Sequence, residues 1–270
     1  MSSKVWFITG ASRGFGRIWT EAALKRGDKV AATARKLEDI ADLKSRFGDN
    51  FLPLQLDVTD RQQIPRVVNE AHAHFGRLDV LVNNAGYSLA ATAEEATDEQ
   101  MQGVFDANYF SVVRVLRAAL PLLRQQGSGH IIGVTSSFGL TPAPWLGFYS
   151  AAKAAAEALH ESLAKEIAQF GIKVTMIEPG AYATDFRNST IRAEGIAAYN
   201  DFKQQLMAGL TKVERGNPEA TAEAILKLVD AEKPPLRLIL GTVSLPHIRS
   251  VYADRIATWE AWEKVSNAAQ

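Results

Sequence analysis

Residues 5–16 read VWFITGASRGFG, a run of four apolar side chains followed by a turn that holds three glycines. The apolar run predicts a buried strand over residues 5–9, and residues 14–26 predict a helix that ends before Gly27. Glycines at such a strand-to-helix corner let the backbone approach a pyrophosphate group, whose charge the helix N-terminus stabilises. The spacing is GxxxGxG rather than the more common GxGxxG, so a purely structural corner remains the alternative.

The alternation of short apolar run and amphipathic segment continues along the rest of the chain. Strands are predicted at residues 29–34, 51–56, 78–82, 129–135, 172–177 and 236–240, and helices at residues 38–46, 61–75, 99–124, 149–170 and 220–231. Because the strands are apolar on both faces, helices must cover both sides of a parallel sheet. The predicted fold class is α/β, a Rossmann-type doubly wound parallel sheet that forms a single domain over residues 1–270.

Three segments depart from this regular pattern. Pro121 is expected to kink or shorten the helix at residues 99–124, because proline removes a helical hydrogen bond. Residues 185–215 are polar and poorly periodic, which predicts a small inserted substrate-binding lobe. The tail carries Trp259 and Trp262, and we expect it to be helical and to pack back on the domain.

The composition excludes several classes of site and partner. The chain has 270 residues with 30 basic and 30 acidic side chains, so no overall field attracts nucleic acid or an anionic membrane. It has no cysteine, which excludes disulfides, thiolate zinc sites and iron–sulfur clusters, and its five histidines are scattered, so no metal site is expected. No stretch approaches the roughly 18 apolar residues of a membrane span, and residues 5–8 are too short a run for a signal peptide. We therefore expect a cytoplasmic protein with neither nucleic acid nor membrane as a partner.

The end of the second predicted strand bears on the choice of nucleotide. Proteins that bind NAD usually place Asp or Glu there, to hold the 2′-hydroxyl of the ribose. Here Ala34 is followed by Arg35 and Lys36, so no carboxylate repels a 2′-phosphate and Arg35 can pair with it. Arg13, in the glycine turn, can reach the same phosphate. These residues predict NADP(H) as the cofactor, with two solvated surface arginines as the alternative.

Two more polar segments follow predicted strands, where ligands of open α/β sheets bind. Asp57-Val58 comes after the third strand, and an aspartate there can accept a hydrogen bond from an adenine amino group. Residues 83–86, Asn-Asn-Ala-Gly, come after the fourth strand, where small side chains leave room for the adenosine ribose. An ordinary turn is the alternative for the second segment.

Tyr149 and Lys153 lie four residues apart at the start of a predicted helix and therefore share one face of it. A tyrosine with a pKa of about 10 is a poor base near neutral pH, but a neighbouring ammonium group and a helix N-terminus both favour the phenolate. Bringing the pKa of Tyr149 down to about 7 would need roughly 4 kcal/mol, and a purely structural pair on one helix face is the alternative. Ser136, just past a buried strand, is placed to hydrogen-bond a substrate oxygen, with Ser137 as its rival. Asn108 lies inside a predicted helix, where asparagine is not favoured, and this misfit indicates a role, with a buried structural amide as the alternative.

Together these motifs resemble those of the short-chain dehydrogenase/reductase family. They occur in the order TGASRGFG at 9–16, DV at 57–58, NNAG at 83–86, Asn108, Ser136, YSAAK at 149–153 and PGAYAT at 179–184. The resemblance covers residues 5 to about 184. The segment EPGAYATDF and the W-x-x-W of residues 257–266 are most similar to the branch that holds hydroxysteroid- and retinol-dehydrogenase-like proteins.

The resemblance implies a catalytic tetrad. Tyr149 would be the general acid/base, and Lys153 would lower its pKa and bind the nicotinamide ribose. Ser136 would orient and polarise the carbonyl, and Asn108 would hold a water molecule in the proton relay. The resemblance also implies a homodimer or homotetramer, packed through the helices at residues 99–124 and 149–170.

The resemblance further implies a set of cofactor-binding residues, in which residues 177–180 and Thr184 close over the nicotinamide carboxamide. Tyr182 stands where the family more often has valine or isoleucine. The implied set is Gly10, Ser12, Arg13, Gly14, Phe15, Gly16, Arg35, Asp57, Val58, Asn84, Ala85, Gly86, Tyr149, Lys153, Pro179, Gly180, Tyr182 and Thr184.

The substrate wall is expected to come from residues after Ser136 and from the lobe. An apolar and aromatic lining predicts a small hydrophobic ketone, aldehyde or alcohol, with simple packing of the lobe as the alternative. Lys203, Arg187 and Arg192 lie on the lobe and are expected to be solvated. The candidate substrate-binding residues are Ser136, Phe138, Trp145, Leu146, Tyr149, Tyr182, Phe186, Tyr199, Phe202 and Met207.

The function that these residues predict is NADP(H)-dependent interconversion of a hydrophobic ketone or aldehyde and its alcohol, by hydride transfer. Two alternatives remain open. A 3-oxoacyl-thioester reductase of the same fold would need a basic docking patch for an acyl carrier, which the neutral composition does not indicate. A catalytically silent NADP(H)-binding sensor or scaffold is disfavoured because Tyr149 and Lys153 are both present.

Overall fold

A computed structural model of the chain describes residues 3–210 and 213–270, without the side chains of Arg187 and Leu210. Residues 211 and 212 of the predicted lobe therefore lie outside the described residues. The strands are β1 (Val5–Ile8), β2 (Lys29–Ala34), β3 (Phe51–Gln55), β4 (Val80–Asn83), β5 (Leu89–Ala90), β6 (Gly129–Val134), β7 (Ile172–Pro179), β8 (Ile191–Arg192) and β9 (Arg237–Leu240). The α-helices are α1 (Gly14–Lys25), α2 (Ala41–Phe47), α3 (Gln63–Phe75), α4 (Asp98–Phe105), α5 (Ser111–Gln126), α6 (Ser137–Leu140), α7 (Gly147–Ile167), α8 (Asn200–Leu210), α9 (Thr221–Asp230), α10 (Ser244–Ala261) and α11 (Glu263–Asn267).

Seven of these strands form one parallel sheet in the order β3-β2-β1-β4-β6-β7-β9. The chain builds outward from β1 to β3, then returns to the other side of β1 and continues through β4 to β9. Within the sheet, Phe7 lies between Ala31 of β2 and Leu81 of β4. The predicted Rossmann-type doubly wound parallel sheet is thereby confirmed. The carboxyl ends of β1 and β4 meet where the strand order reverses, which is where such sheets bind ligands.

Alternate side chains of each strand enter two separate apolar cores. Val5 and Phe7 of β1 enter the core beneath α3, α5 and α7, and Trp6 and Ile8 enter the core beneath α1, α2 and α9. All four side chains are at most 4% exposed. Burying a large apolar side chain stabilises a fold by about 1.5–3 kcal/mol, so both faces select apolar residues. The uninterrupted apolar runs in the sequence follow from this burial.

The segment predicted as one helix over residues 99–124 is divided in two by a turn of π-helix at Asp106–Phe110. The first part, α4, begins with a capping box, in which the Thr97 hydroxyl accepts a hydrogen bond from the backbone N–H of Gln100. The Gln100 side chain accepts one in return from the backbone N–H of Thr97. Single π-turns are frequent at functional sites, and this one carries Asn108.

Pro121 does not end the helix, so the expectation that it shortens the helix is wrong. α5 continues past Pro121 to Gln126 and ends at Gly127, which has a φ of +71°. The ring of Pro121 lies on the exposed side of the helix. Water can therefore satisfy the backbone carbonyl that loses its helical partner one turn earlier.

The lobe predicted at residues 185–215 is attached to the segment that follows β4. Its strand β8 pairs in parallel with β5, in a separate two-stranded sheet. The buried carboxylate of Glu95 accepts a hydrogen bond from the backbone N–H of Ile196 (2.8 Å) and forms an ion pair with Lys203. Burial opposes ionisation of Glu95, but the bonds from Lys203 and Ile196 outweigh it and hold its pKa at about 2. Lys203 is only 15% exposed at its side chain, so the expectation that it is solvated is wrong.

The tail is helical, as expected, but its end does not pack back on the domain. Trp259 and Trp262 are 65% and 63% exposed, which contradicts that expectation. α10 is buried only near its beginning, and further along Arg255 donates a hydrogen bond to the carbonyl of Leu140 (3.0 Å). The apolar side chains of α10 are spread around the helix instead of forming one face, so no single side can cover the core.

Neither a membrane-spanning helix nor a metal-binding cluster occurs in the described part of the chain. Within residues 3–210 and 213–270, each helix is too short or too polar to cross a lipid bilayer. The same residues contain no group of three histidine, aspartate or glutamate side chains placed to hold a metal ion.

Candidate active site

The glycine turn is held against the loop that follows β4 by Thr9. The Thr9 hydroxyl accepts hydrogen bonds from the backbone N–H groups of Asn84 (3.0 Å) and Ala85 (3.1 Å). The side-chain amide of Asn84 donates in return to the carbonyls of Thr9 and Gly10, both at 2.9 Å. These four bonds fix the spacing between the two segments that were predicted to face a nucleotide.

Glycine is required in this turn for two different reasons. Gly10 and Gly14 have φ values of +70° and +59°, which side chains disfavour. A Cβ atom added to Gly16 would lie 2.3 Å from the carbonyl oxygen of Gly10 and 2.5 Å from the side-chain nitrogen of Asn84. A Cβ atom added to Gly14 would come no closer than 3.8 Å to Thr184, so the backbone is accessible there.

The Gly16→Ala variant is expected to be less stable than the wild type by about 1–3 kcal/mol. Its methyl group would overlap one backbone atom, the carbonyl oxygen of Gly10, and one side-chain atom, the nitrogen of Asn84, and the two cannot both move away. Gly147→Ala is the matched control, because a Cβ atom there meets nothing within 4 Å. We expect that control to change the free energy of unfolding by less than about 1 kcal/mol. Urea unfolding measures the change in the free energy of unfolding for both variants. Equal midpoints for the two variants would contradict the close approach at Gly16.

The two predicted phosphate-binding arginines line one surface cavity. The cavity has a volume of about 260 Å³ and is lined by Ser12, Arg13, Arg35 and Asp39. Ser12 and Arg13 precede the N-terminus of α1, and Arg35 follows the last residue of β2. The structure thus brings together residues that are 22 positions apart in the sequence (35 − 13).

Asp39 was missed by the sequence-based prediction. It lies in the short 3₁₀ turn Leu37–Ile40, directly after Arg35 and Lys36. This position places Asp39 in the lining of the cavity that the arginines share. The signal available in the sequence was its closeness to Arg35, four residues earlier.

The residues predicted near the adenine lie at the next strand. The Asp57 side chain is exposed, and its Oδ1 accepts hydrogen bonds from the backbone N–H (2.9 Å) and the hydroxyl (2.7 Å) of Thr59. Val58 is half-buried and packs against the core beneath α3. Asp57 therefore stabilises its own turn, whatever contact it makes with a nucleotide.

Tyr149 and Ser136 meet in a buried corner between α6 and α7. Ser136 is the N-cap of α6, and its hydroxyl accepts a hydrogen bond from the backbone N–H of Phe138 (3.2 Å). Tyr149, in the first turn of α7, is 5% exposed and hydrogen-bonds Ser136 through its side chain. Ser137 is instead the first residue of α6, so the structure brings Ser136 to Tyr149.

Lys153 lies one turn along α7 from Tyr149, with its Nζ 5.7 Å from the centre of the tyrosine ring. It is 5% exposed, and its Nζ donates a hydrogen bond to the carbonyl of Val134 (2.8 Å). Burial lowers the pKa of Lys153 to about 8, although the negative charge of Glu157 opposes this.

The pKa of Tyr149 differs from the expectation drawn from the sequence. Burial raises the pKa of Tyr149 to about 12, and the hydrogen bond from Ser136 opposes that rise. For the protein alone, desolvation therefore outweighs the effects of the neighbouring charge and of the helix N-terminus, which were expected to favour the phenolate.

Asn108 sits at the centre of the π-turn and faces the same corner. Its side-chain nitrogen donates to the carbonyls of Tyr87 and Val104, both at 2.8 Å. Among the described residues its Oδ1 has no hydrogen-bond partner, although it is buried. A Cβ atom added to Gly86 would lie 2.4 Å from this oxygen and 3.6 Å from the Nζ of Lys153. The unpaired acceptor thus points into the gap between Gly86 and Lys153, where a water molecule can bind it.

The segment after β7 closes one side of this corner. The backbone N–H of Gly180 donates to the carbonyl of Leu240 (3.2 Å), and Pro179 is buried beside it. Tyr182 packs edge-on against Phe15 of the glycine turn, with ring centres 5.2 Å apart. Thr184 lies across from Gly14, so this segment does face the glycine turn.

Several predicted substrate residues surround the Tyr149 ring. Phe186 lies with its ring centre 5.8 Å from that of Tyr149 and is 37% exposed. Phe138 packs in the same apolar cluster as Tyr149. Trp145 is close by in sequence and has a φ of +64°, an unusual value for a large side chain. The guanidinium of Arg192 is exposed, as expected, and lies 5.3 Å from the Trp145 ring centre.

The remaining predicted substrate residues lie further out on the lobe. The Tyr199 hydroxyl donates to the carboxylate of Glu94 (2.8 Å), and Phe202 is 39% exposed. Leu146 and Met207 are half-buried. The side chain of Arg187 lies outside the described part of the chain.

The sequence-based prediction also missed a buried polar cluster behind Lys153. It consists of Glu157, Glu178 and Arg237, on α7, β7 and β9. Glu157 follows Lys153 by four residues, which was a usable signal. The other two come from distant parts of the chain, and only the fold brings them there.

Comparisons with known proteins identify relatives along the whole chain. A family profile described as short chain dehydrogenase matches residues 4–195. Oxidoreductase BOA17 of Botryotinia fuckeliana is 39% identical over 273 residues, which cover 99% of each chain. A 3-ketodihydrosphingosine reductase of Bacteroides thetaiotaomicron is 33% identical over 247 residues, which cover 89% of each chain.

Solved structures agree in fold and include cofactor complexes. A short-chain dehydrogenase from Streptomyces avermitilis is 39% identical, with a TM-score of 0.92 over 100% of this chain and 99% of that one. A short chain dehydrogenase from Burkholderia cenocepacia in complex with NADP is 27% identical, with a TM-score of 0.77 over 96% and 97% of the two chains. A 3-ketoacyl-(acyl-carrier-protein) reductase from Brucella melitensis complexed with NADH is 26% identical, with a TM-score of 0.75 over 88% and 96%. By its motifs, its fold and these similarities, the chain belongs to the short chain dehydrogenase family of oxidoreductases.

Proposed function

We propose that the protein is an NADP(H)-dependent oxidoreductase that interconverts a hydrophobic ketone or aldehyde and its alcohol, with Tyr149 as general acid/base. The observation that carries this proposal is the buried hydrogen bond between Ser136 and Tyr149, with Lys153 one helical turn away. A weakly acidic hydroxyl, a second hydroxyl and a cation in one apolar corner suit proton transfer to a carbonyl oxygen.

The residues present fit a nicotinamide dinucleotide. The accessible backbone at Gly14 and the N-terminus of α1 would hold the pyrophosphate. Lys153 and the loop at Gly86 would hold the nicotinamide ribose, beside the unpaired oxygen of Asn108. When bound, the cofactor supplies or accepts a hydride at the carbonyl carbon of the substrate.

The protein's own groups account for the proton. In reduction, the Tyr149 hydroxyl would give its proton to the substrate oxygen as negative charge develops there. Ser136 would donate a hydrogen bond to the same oxygen, and the Lys153 ammonium would stabilise the tyrosinate that remains. A water molecule on the free oxygen of Asn108 would return a proton from solvent along Lys153.

The rates of the two directions are expected to depend on pH with opposite signs. Because burial raises the pKa of Tyr149 to about 12, only a small fraction is ionised near neutral pH. Oxidation needs that phenolate, so its kcat/KM is expected to rise up to about tenfold per pH unit between about pH 6 and 8. Reduction needs the neutral hydroxyl and is expected to stay flat until Lys153, with a pKa of about 8, loses its proton. An oxidation rate independent of pH would contradict Tyr149 as the base.

The preference for NADP(H) rests on the cavity that Arg13 and Arg35 share. A 2′-phosphate placed there would meet two guanidinium groups, which bind phosphate oxygens through charge-assisted hydrogen bonds. Asp39, on the same wall, would weaken this attraction. Structurally similar proteins bind NADP or NADH, so the two arginines carry the proposal.

The apolar surroundings of Tyr149 favour a hydrophobic substrate. Phe138 packs in the apolar cluster that holds Tyr149, and the Phe186 ring lies next to the Tyr149 ring. A 3-ketodihydrosphingosine reductase among the relatives agrees with a ketone as the substrate. A 3-oxoacyl-thioester reductase remains the second candidate, because a structurally similar protein is a 3-ketoacyl-(acyl-carrier-protein) reductase. We further propose a cytoplasmic homodimer or homotetramer that packs through α5 and α7, which sedimentation analysis would test.

Titration of the protein with NADPH and with NADH is the first test of the proposed function. Trp19 is fully buried and stacks on Phe15 of the glycine turn, with ring centres 5.3 Å apart, so its fluorescence reports on that turn. Tighter binding of NADPH, followed by turnover of aromatic ketones, is the expected result. Tighter binding of NADH would overturn the assignment of the cofactor. Binding of neither nucleotide would favour a silent scaffold.

A further inference from the structure

Next to Lys153 lie buried ionisable groups that the proposed mechanism does not use. Glu157 follows Lys153 by one helical turn on α7, and Glu178 reaches the same place from β7. The side chain of Glu178 is fully buried, and that of Glu157 is 6% exposed. Carboxyl groups are rarely buried this deeply without a cation or a proton to neutralise them.

Arg237 of β9 connects these carboxyl groups. Its Nε lies 3.1 Å from Oε2 of Glu157 and 3.3 Å from Oε1 of Glu178. Its Nη2 lies 2.7 Å from Oε2 of Glu161, which is half-exposed one turn further along α7. One guanidinium thus faces three carboxyl groups, and Lys153 is the second cation on this face of α7.

Glu178 is the most deeply buried of the three carboxyl groups, and it shares Arg237 with the other two. Glu161 is half-exposed and also pairs with Lys165, whose Nζ lies 3.8 Å from its Oε1. Burial raises the pKa of Glu178 well above its usual range, and the adjacent Glu157 raises it further. As a carboxylic acid, Glu178 would have a proton to donate toward Glu157, whose Oε1 has no hydrogen-bond partner among the described residues.

The histidine packed on this region does not supply a charge. His160 of α7 lies against Gly133 of β6, where an added Cβ atom would come within 2.5 Å of its ring. Burial lowers the pKa of His160, so its ring is neutral near pH 7. On the opposite side, a Cβ atom added to Gly139 of α6 would lie 3.2 Å from Cγ of Glu157, so α6 packs closely against Glu157.

Lys153 itself has no carboxylate in direct contact among the described residues; its Nζ donates to the carbonyl of Val134. Burial alone would discharge it, and the negative charge of Glu157 acts in the opposite direction. The separation of four residues on a helix keeps the two side chains on one face. The charge of Lys153 therefore depends on Glu157 staying in place.

We propose that Glu157 is the counter-ion that keeps Lys153 charged, and that the carboxylic acid of Glu178 and the guanidinium of Arg237 hold Glu157 in place. Glu157 is a positioning residue, because it acts on the reacting atoms only through Lys153. The catalytic consequence rests on the proposed function, in which Lys153 must be an ammonium. The interaction between Glu157 and Lys153 does not rest on the proposed function, and it can be measured without turnover.

A double-mutant cycle in urea unfolding tests the interaction between Lys153 and Glu157. The variants are Lys153→Gln, Glu157→Gln and the double variant, which conserve side-chain size as far as possible. At pH 6.5 we expect a coupling of about fivefold or more in the unfolding equilibrium constant. At pH 10, above the pKa of Lys153, the coupling should be near unity. Absence of coupling at pH 6.5, or equal coupling at both pH values, would overturn the proposal.

The protonation of Glu178 is tested with Glu178→Gln, which stays informative if the Glu157 variants fail to fold. The raised pKa of Glu178 means that the folded wild type binds a proton which the unfolded chain has released, so wild-type stability falls as pH rises from about 5 to 8. Glu178→Gln removes that loss and should become more stable relative to the wild type across this range. Glu161→Gln is the control: the pKa of Glu161 is lowered, so its stability difference should stay constant there. A constant difference for Glu178→Gln as well would overturn the proposal.

The catalytic consequence appears in the alkaline limb of kcat/KM for ketone reduction. In Glu157→Gln, Lys153 should lose its proton at a lower pH, so the alkaline limb should shift to lower pH by about one unit or more. Glu178→Gln and Glu161→Gln should leave the limb where it is. An unshifted limb in Glu157→Gln would overturn the role of Glu157. A wild type without turnover would instead contradict the proposed function, and the unfolding cycle would still decide the interaction.

Discussion

The Tyr149→Phe variant is expected to lose about 10²–10⁴-fold in kcat, because the general acid/base is removed. NADPH should still bind with the wild-type dissociation constant. The phenylalanine ring keeps the packing of Tyr149 against Phe186 and the apolar cluster around Phe138. Only the hydroxyl that bonds Ser136 is lost. The effect should therefore fall on kcat and not on the binding of the cofactor.

Steady-state kinetics with an aromatic ketone, together with NADPH titration, separates these effects. Tyr252→Phe is the control, because Tyr252 is 38% exposed on α10. That variant should match the wild type in both measurements. Turnover of Tyr149→Phe at the wild-type rate would show that another group moves the proton. A parallel loss of NADPH binding would show instead that the hydroxyl supports the cofactor site.

The fold could be predicted from the sequence because the residue patterns that determine it are local. Strands that are buried on both faces must be apolar throughout, and residues 5–8 show this directly. The separation of four between Tyr149 and Lys153 places both on one face of any helix. The glycine turn and the NNAG segment were placed at strand ends, and hydrogen bonds between Thr9 and Asn84 join them in the structure.

The features that the sequence did not reveal depend on burial by distant residues. The pKa of Tyr149 is high because α6 and α7 exclude water from it, which no pattern around residue 149 indicates. Glu178 and Arg237 reach Glu157 from two other strands, so their charges become relevant only after folding. Trp262 shows the converse: an apolar residue in a helical tail was expected to be buried, yet no neighbouring element covers it among the described residues.

The Arg35→Asp variant is expected to reverse the preference for NADPH over NADH. A hydrogen bond between charged groups contributes about 1.5–3 kcal/mol, so losing it should weaken NADPH binding by about 10- to 150-fold. The new carboxylate would also repel a 2′-phosphate and could accept a hydrogen bond from a 2′-hydroxyl, which favours NADH. Fluorescence titration with both nucleotides measures the ratio of their dissociation constants.

Two matched variants decide whether the cavity or the general charge of this surface sets the preference. Lys36→Asp makes the same change of charge at the next residue, which does not line the cavity. It should alter the ratio far less, since charges exposed to solvent are screened within about 10 Å at 0.1 M salt. Asp39→Asn removes a carboxylate from the cavity wall and should strengthen binding of NADPH alone. Equal effects of Arg35→Asp and Lys36→Asp would mean that a diffuse field sets the preference. An unchanged ratio in Arg35→Asp would mean that Arg35 is a solvated surface residue and that the cofactor assignment is wrong.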